Sequence, residues 1–110
     1  MFKTIHTISE YTSEIQSAKA ALVYFSHEQC NVCKVLKPKV AELFVSEFPL
    51  VELCYVDMEK SPEIAGQNSI FAAPTLIIYF EGHESIRKSR NVNLSELATE
   101  VERPYNLLFG

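Results

Sequence analysis

The sequence predicts an α/β fold in which a central mixed sheet of about five strands is covered on both faces by about four helices, in three layers. Three apolar runs, at residues 21–26, 50–57 and 75–80, have the length and near-continuous hydrophobicity of strands buried on both faces. Segments with the apolar spacing of helices alternate with these runs. After the last run, the turn Glu81-Gly82-His83 lets residues 84–89 return as an antiparallel strand, which makes the sheet mixed.

The first half of the chain also carries two predicted helices. Residues 2–7 are a weak strand candidate, and residues 8–19 are predicted to form a helix with Ser9 as its cap. The apolar side chains of that helix recur at spacings of three and four and are Ile8, Tyr11, Ile15 and Ala18. A longer helix is predicted over residues 31–48, with a kink at Pro38. Its apolar face consists of Leu36, Val40, Leu43 and Phe44.

The second half adds two more predicted helices. Residues 61–67 are expected to form a short helix, and residues 93–102 are expected to form a final helix capped by Asn93 or Asn91. The apolar tail at residues 104–109 either packs on the body of the protein, which we predict, or marks a contact with a partner. Five aromatic side chains are predicted to lie in the core, namely Tyr24, Phe25, Phe44, Phe48 and Phe71.

Length and composition limit the possible functions. The 110 residues amount to one domain, predicted to span residues 1–110, and 47% of them are hydrophobic, which is enough for a single apolar core. A net charge of −4 argues against a nucleic-acid partner, because binding to phosphates needs a basic surface. No apolar run approaches the roughly 20 residues of a membrane helix. The first residues lack the apolar core of a secretory signal, so we expect a cytoplasmic protein without a membrane partner.

The segment Cys30-Asn31-Val32-Cys33 carries the predicted chemistry, because it follows a buried strand and opens the long helix. Residues three apart on a helix share a face, so the two sulfur atoms can meet. The first turn of a helix has unpaired N–H groups and a positive dipole end, and both favour a thiolate over a thiol. Cys30, nearer the helix tip, would attack a substrate disulfide, and Cys33 would then attack the Cys30 sulfur and release the reduced substrate.

Two other interpretations of the cysteine pair stay open. A zinc site or an iron–sulfur cluster needs further ligands, and the sequence offers only Cys54 and three histidines, with no second cysteine pair. Alternatively, the pair is two inert thiols packed at a helix start. Cys54 itself lies in an apolar strand and is predicted to be a buried, inert thiol. We therefore expect neither a metal nor a cofactor.

Several features together resemble the thioredoxin family over nearly the whole chain: the order of elements, the cysteine motif, Pro38 five residues after Cys33, and the segment Ala72-Ala73-Pro74-Thr75 before a strand. The resemblance implies a thioredoxin fold, with Cys30 as the nucleophile and Cys33 as the resolving cysteine. It also implies that Pro74 is the family's cis-proline beside the redox site. Ala73, the residue before it, would present backbone groups to an extended substrate.

The chain departs from the family pattern at the positions that surround the cysteines. Gln29 stands where thioredoxins usually have tryptophan, and Asn31-Val32 replaces the usual Gly-Pro between the cysteines. Tyr24 aligns with a buried aspartate that helps to move a proton during resolution. Arg90 aligns near an expected glycine. These departures indicate a divergent member of the family.

The missing acid leaves two functions open. Without it, resolution by Cys33 is expected to be slow unless His27 or Glu28 accepts the proton. Both residues are also consistent with an exposed loop that has no role in the reaction. One function is an oxidoreductase that acts on protein disulfides and is reduced again by an unidentified dithiol reductase. The other is a redox-sensing or protein-binding module of the same fold with little turnover. In either case we expect a monomer.

Overall fold

The computed structural model describes residues 2–110, and Met1 lies outside the described residues. In chain order, the elements are β1 (Lys3–Thr4), α1 (Ile8–Ser17), β2 (Ala20–Ser26), α2 (Asn31–Glu47), β3 (Glu52–Asp57), α3 (Pro62–Gln67), β4 (Thr75–Phe80), β5 (His83–Ser89) and α4 (Leu94–Phe109). Within residues 2–110, no helix has both the length and the apolar composition of a membrane span.

The strands form one mixed sheet of five strands in the order β1-β3-β2-β4-β5. β2 pairs in parallel with β3 and antiparallel with β4, so β2 lies at the centre, and all of its residues are buried. β5 pairs antiparallel with β4 at one edge, and β1 pairs in parallel with β3 at the other. The predicted mixed sheet with five strands and four helices is confirmed.

Helices cover both faces of this sheet because successive side chains of a strand point to opposite sides. On β2, Leu22 and Tyr24 face the cluster that contains the apolar side chains of α2 and α4. Val23 and Phe25 face the other cluster, which contains those of α1 and α3. The central strands are therefore apolar on both faces, and the predicted three-layer arrangement is confirmed.

The start of α1 differs from the prediction. The N-cap residue is Thr7 and not Ser9. The Glu10 N–H donates to the Thr7 hydroxyl at 3.0 Å, and the Thr7 N–H donates to the Glu10 carboxylate at 3.0 Å. This reciprocal capping box satisfies two backbone donors at once, which a single serine cap would not do. Ser9 consequently lies inside the first turn.

The last helix is longer than predicted, since α4 continues through Pro104 to Phe109. Proline removes one backbone donor from a helix interior, which usually ends or kinks the helix. Here the next residue, Tyr105, is buried, with its ring centroid 5.1 Å from that of Phe48 and 4.8 Å from that of Phe109. This aromatic packing offsets the lost hydrogen bond. The apolar tail packs on the body of the protein through Tyr105, Leu108 and Phe109, whereas Leu107 is 78% exposed.

Phe71 is the predicted core aromatic that lies on the surface, where its side chain is 86% exposed. It belongs to the connection between α3 and β4, so neither a helix nor a strand face sets the direction of its side chain. The other predicted core aromatics are buried, and each lies on a helix or strand or at a helix end.

Candidate active site

The connection between β2 and α2 places both predicted catalytic cysteines at the start of a helix. α2 begins at Asn31, and Cys30 is its N-cap residue. Cys30 and Cys33 form a disulfide, with their sulfur atoms 2.05 Å apart and their Cα atoms 5.3 Å apart. The structure thus joins the two sulfur atoms that the motif predicted would meet.

The two cysteines differ in exposure. Cys33 is 1% exposed and packs in the cluster between the sheet and α2, whereas Cys30 is only partly buried at the tip of the helix. The Cys33 N–H donates to the Cys30 Sγ at 3.2 Å. In the reduced protein, this N–H and the positive end of α2 favour a thiolate on Cys30. Of the two sulfur atoms, an incoming group reaches that of Cys30 more easily.

Pro74 begins the segment that enters β4, and its peptide bond with Ala73 is cis. Phe25 pairs with Thr75 in the sheet, so Pro74 lies at the end of the sheet where the chain leaves β2 towards Cys30. Ala73 and Cys30 are both partly buried and pack against the same core cluster. The predicted substrate-binding residues therefore share one end of the sheet with the redox pair.

Tyr24 supports the cysteine pair from within the core. Its side chain is fully buried, and its hydroxyl donates to the Cys33 carbonyl oxygen at 2.9 Å. Its ring stacks on that of Tyr55, with the centroids 6.4 Å apart. Burial raises the pKa of the Tyr24 hydroxyl well above its usual range, so this group stays protonated at neutral pH. The hydrogen bond from Tyr24 therefore holds the backbone of Cys33 in place.

Lys37 is a feature of the site that sequence reasoning missed. Its ammonium group lies 3.9 Å from the ring centroid of Tyr55 and 5.1 Å from that of Phe2, which are cation–π distances. Burial lowers the pKa of Lys37. Lys37 follows Cys33 by four positions on α2, and residues at this spacing share a helix face. The spacing could therefore have predicted that Lys37 lies on the same face of α2 as Cys33. Lys37 places a positive charge on the helix face that carries Cys33.

The two suggested substitute proton acceptors lie in the loop before Cys30. The exposed Glu28 carboxylate pairs with the ammonium group of Lys60 at 3.3 Å. The His27 carbonyl accepts the Cys30 N–H at 3.2 Å. The His27 Nδ1 is buried without a hydrogen-bond partner within residues 2–110, and the Glu59 Oε1 lies 3.9 Å from it. Proton transfer by His27 or Glu28 stays a prediction.

Cys54 is separated from the redox pair by the sheet. It is 0% exposed and packs in the cluster that contains the apolar side chains of α1 and α3, whereas Cys33 packs on the opposite face. Burial raises the pKa of the Cys54 thiol to about 12. The prediction that the Cys54 thiol is buried is confirmed, and its lack of reactivity stays a prediction. Within residues 2–110, no three histidine, cysteine or carboxylate side chains are grouped closely enough to hold a metal ion.

Arg90 adopts an uncommon backbone conformation directly after β5. Its φ of 65° lies in the left-handed region, and its N–H donates to the Pro74 carbonyl oxygen at 2.7 Å. A side chain in this region clashes with the neighbouring carbonyl, which is a cost that glycine does not carry. The family resemblance led us to expect glycine near this position, and the observed backbone is one that suits glycine.

We expect Arg90→Gly to stabilise the oxidised protein by about 1 kcal/mol, because relief of the left-handed strain exceeds the added flexibility of the unfolded chain. Urea unfolding followed by circular dichroism measures the change. Arg90→Ala serves as the matched control, since it removes the same side chain and keeps the strain. Equal stability of the glycine and alanine variants would contradict the prediction.

Comparison with known proteins identifies the family. The sequence model of the thioredoxin family matches residues 3–103, which is nearly the whole chain. The chain belongs to the thioredoxin family.

Relatives of this thioredoxin-family protein match it over most of its length. Thioredoxin-like protein YdfQ of Bacillus subtilis is 27% identical over 106 residues, which cover 96% of this chain and 94% of that protein. Thioredoxin-1 of Saccharomyces cerevisiae is 30% identical over 84 residues, which cover 76% and 81%. Among solved structures, Fasciola hepatica thioredoxin superposes with a TM-score of 0.81 at 28% identity, covering 93% of this chain and 98% of that one.

The thioredoxin-family protein is a thiol–disulfide oxidoreductase with a Cys30–Cys33 pair. Its disulfide accepts two electrons to become a dithiol, and the dithiol returns them to another disulfide. Tyr24 donates to the Cys33 backbone, Lys37 lies on the helix that begins at the pair, and Arg90 donates to Pro74; the cysteine motif alone specifies none of these contacts.

Proposed function

We propose that this thioredoxin-family protein reduces disulfides in other proteins, with Cys30 as the nucleophile and Cys33 as the resolving cysteine. The observation that carries the proposal is the difference in burial within one disulfide. Cys30 is partly exposed at the positive end of α2, while Cys33 is 1% exposed one turn deeper. A protein substrate can approach the Cys30 sulfur, whereas the buried Cys33 sulfur is within bonding reach of the Cys30 sulfur.

Both steps of the exchange balance without a cofactor. The Cys30 thiolate forms a bond with one sulfur of the substrate disulfide, the substrate S–S bond breaks, and the leaving thiolate takes a proton from water. Cys33 then loses its proton and attacks the Cys30 sulfur. The Cys30–Cys33 bond forms, and the second substrate thiolate leaves and is protonated. Two electrons have moved from the protein to the substrate.

We propose further that the substrate segment next to the attacked cysteine lies along Ala73 and Pro74 in an extended conformation. Ala73 packs against the same core cluster as Cys30, at the end of the sheet where β4 begins. Backbone hydrogen bonds to an extended segment are sequence-tolerant, which suits an enzyme with many protein substrates.

The proposed setting is the reducing cytoplasm, where a separate dithiol reductase would return electrons to Cys30 and Cys33. The free Cys54 thiol supports this setting, since free thiols persist in reducing compartments. One sheet contains every strand of residues 2–110, and this supports a single domain over residues 1–110, which we propose acts as a monomer.

Insulin reduction driven by dithiothreitol tests the proposal. We expect catalytic amounts of the protein to accelerate precipitation of the insulin B chain well beyond the rate with dithiothreitol alone. Cys54→Ala is the control and should keep the full rate, because the sheet separates Cys54 from the redox pair. A rate equal to that of dithiothreitol alone would reject protein disulfides as substrates.

A further inference from the structure

A groove of about 660 Å³ lies next to the redox pair, between the first turns of α2 and the segment that follows β5. It begins at Asn31 and Val32, the two residues between the cysteines. Val32 and Val35 contribute exposed apolar surface, with 62% and 60% of each residue accessible. The rest of the lining is Leu36, Lys39, Arg90, Asn91, Val92 and Asn93. A substrate attached to Cys30 therefore has a partly apolar surface beside it.

The charges of this groove are all positive. Its lining contains Lys39 and Arg90 and no carboxylate, in a protein whose net charge is −4. Neither side chain forms an ion pair within residues 2–110. Outside the groove, Lys3, Lys60, Arg87 and Lys88 are paired with carboxylates, whereas Lys19, Lys34, Lys37 and Arg103 form no ion pair within residues 2–110. The two groove cations thus lack an internal counter-charge, and the N-terminal end of α2 adds to their potential.

The backbone conformation of Arg90 is strained for a residue with a side chain. Its φ of 65° suits glycine far better than arginine, and its N–H donates to the Pro74 carbonyl oxygen at 2.7 Å. Strained residues cluster at functional sites, so the conformation of Arg90 beside the redox pair motivates a functional hypothesis for its side chain. Glycine would contribute no side chain to the groove, whereas arginine contributes five N–H donors that match the geometry of a carboxylate.

We propose that this groove binds an acidic side chain of the protein substrate, so that the enzyme prefers disulfides whose cysteine is flanked by acidic and apolar residues. The inference rests on the proposed function, because the substrate is held at Cys30 while its neighbouring residues occupy the groove. Arg90 and Lys39 pair with the carboxylate, and Val32 and Val35 contact the apolar neighbour.

Matched peptides test this preference. Three peptides carry one cysteine as a mixed disulfide with 2-thiopyridine and differ only in flanking glutamate, glutamine or lysine residues. The reduced protein attacks the peptide sulfur, and thiopyridone leaves with a proton; attack of Cys33 on Cys30 then frees the peptide thiol. Thiopyridone absorbance gives the rate, which is divided by the rate of dithiothreitol with the same peptide to remove intrinsic reactivity.

We expect the glutamate peptide to react about three- to fivefold faster than the glutamine peptide at low salt, as for partly exposed ion pairs, and the lysine peptide to react slowest. Added salt should reduce the ratio. Arg90→Gln should lower it, Arg90→Gln combined with Lys39→Gln should bring it close to one, and Arg90→Glu should lower it further than Arg90→Gln does. Arg103→Gln removes an exposed charge outside the groove and should leave the ratio unchanged.

The outcomes separate the two proposals. Equal normalised rates for all three peptides, each well above the rate of dithiothreitol, would overturn the acidic preference and leave disulfide reduction standing. Rates no higher than that of dithiothreitol for every peptide would reject the reductase proposal itself. A glutamate preference that Arg90→Gln and Arg103→Gln reduce equally would show that net charge, and not the groove, is its cause.

Discussion

Cys30→Ser is expected to abolish disulfide reduction, whereas Cys33→Ser is expected to leave the protein joined to its substrate. Serine at position 30 removes the accessible sulfur, and the remaining Cys33 sulfur is 1% exposed in the core. Serine at position 33 keeps the attack by Cys30 but removes the thiol that lies within bonding distance of the Cys30 sulfur. One variant therefore loses the first step and the other loses the second.

Two measurements distinguish these losses. With Cys30→Ser, insulin precipitation should fall to the rate of dithiothreitol alone. With Cys33→Ser, non-reducing electrophoresis and mass spectrometry should show a covalent adduct with the substrate peptide that dithiothreitol releases. Cys54→Ala in each background keeps the third cysteine from forming adducts of its own. An adduct that forms through Cys33 in the Cys30→Ser variant would reverse the assignment of nucleophile and resolving residue.

Tyr24→Ala is expected to lower the free energy of unfolding by about 3–5 kcal/mol, the usual cost of removing a large buried aromatic side chain. Tyr24 is 0% exposed, lies on the central strand and contacts the rings of Phe2 and Tyr55. Tyr24→Phe keeps the ring and loses only the hydrogen bond to the Cys33 carbonyl, so we expect a cost of about 1 kcal/mol.

Urea unfolding of the oxidised protein measures both changes. Tyr11→Phe is a matched control, because it also removes a buried hydroxyl, which forms a 2.6 Å hydrogen bond with the Tyr79 hydroxyl. Tyr11 packs with the side chains of α1 and α3, on the opposite face of the sheet from Cys33. It should change stability by a similar amount without altering the rate of resolution. If Tyr24 is a support and not a base, Tyr24→Phe leaves the pH profile of insulin reduction in place. A profile that shifts in Tyr24→Phe but not in Tyr11→Phe would assign Tyr24 a role in proton transfer.

The fold could be predicted from the sequence because its determinants are local. The apolar runs that became β2 and β4 are continuous, since strands at the centre of a sheet are covered on both faces. The cysteine pair could be assigned to a helix start because three-residue spacing and the preceding strand are both properties of adjacent residues. The Asn93 cap, whose side chain accepts the Glu96 N–H at 3.0 Å, is local in the same way.

The arrangement around the cysteines was decided by packing between segments that are far apart in the chain. Tyr24 looks like an ordinary core residue in the sequence, and only the approach of α2 to β2 brings its hydroxyl to the Cys33 carbonyl. Arg90 and Lys39 are 51 positions apart and share a groove because the segment after β5 passes α2. Phe71 is exposed because the connection between α3 and β4 is neither a helix nor a strand, so no apolar face sets the direction of its side chain. Periodicity determines which face of an element is apolar, but the neighbour that each side chain meets depends on the tertiary structure.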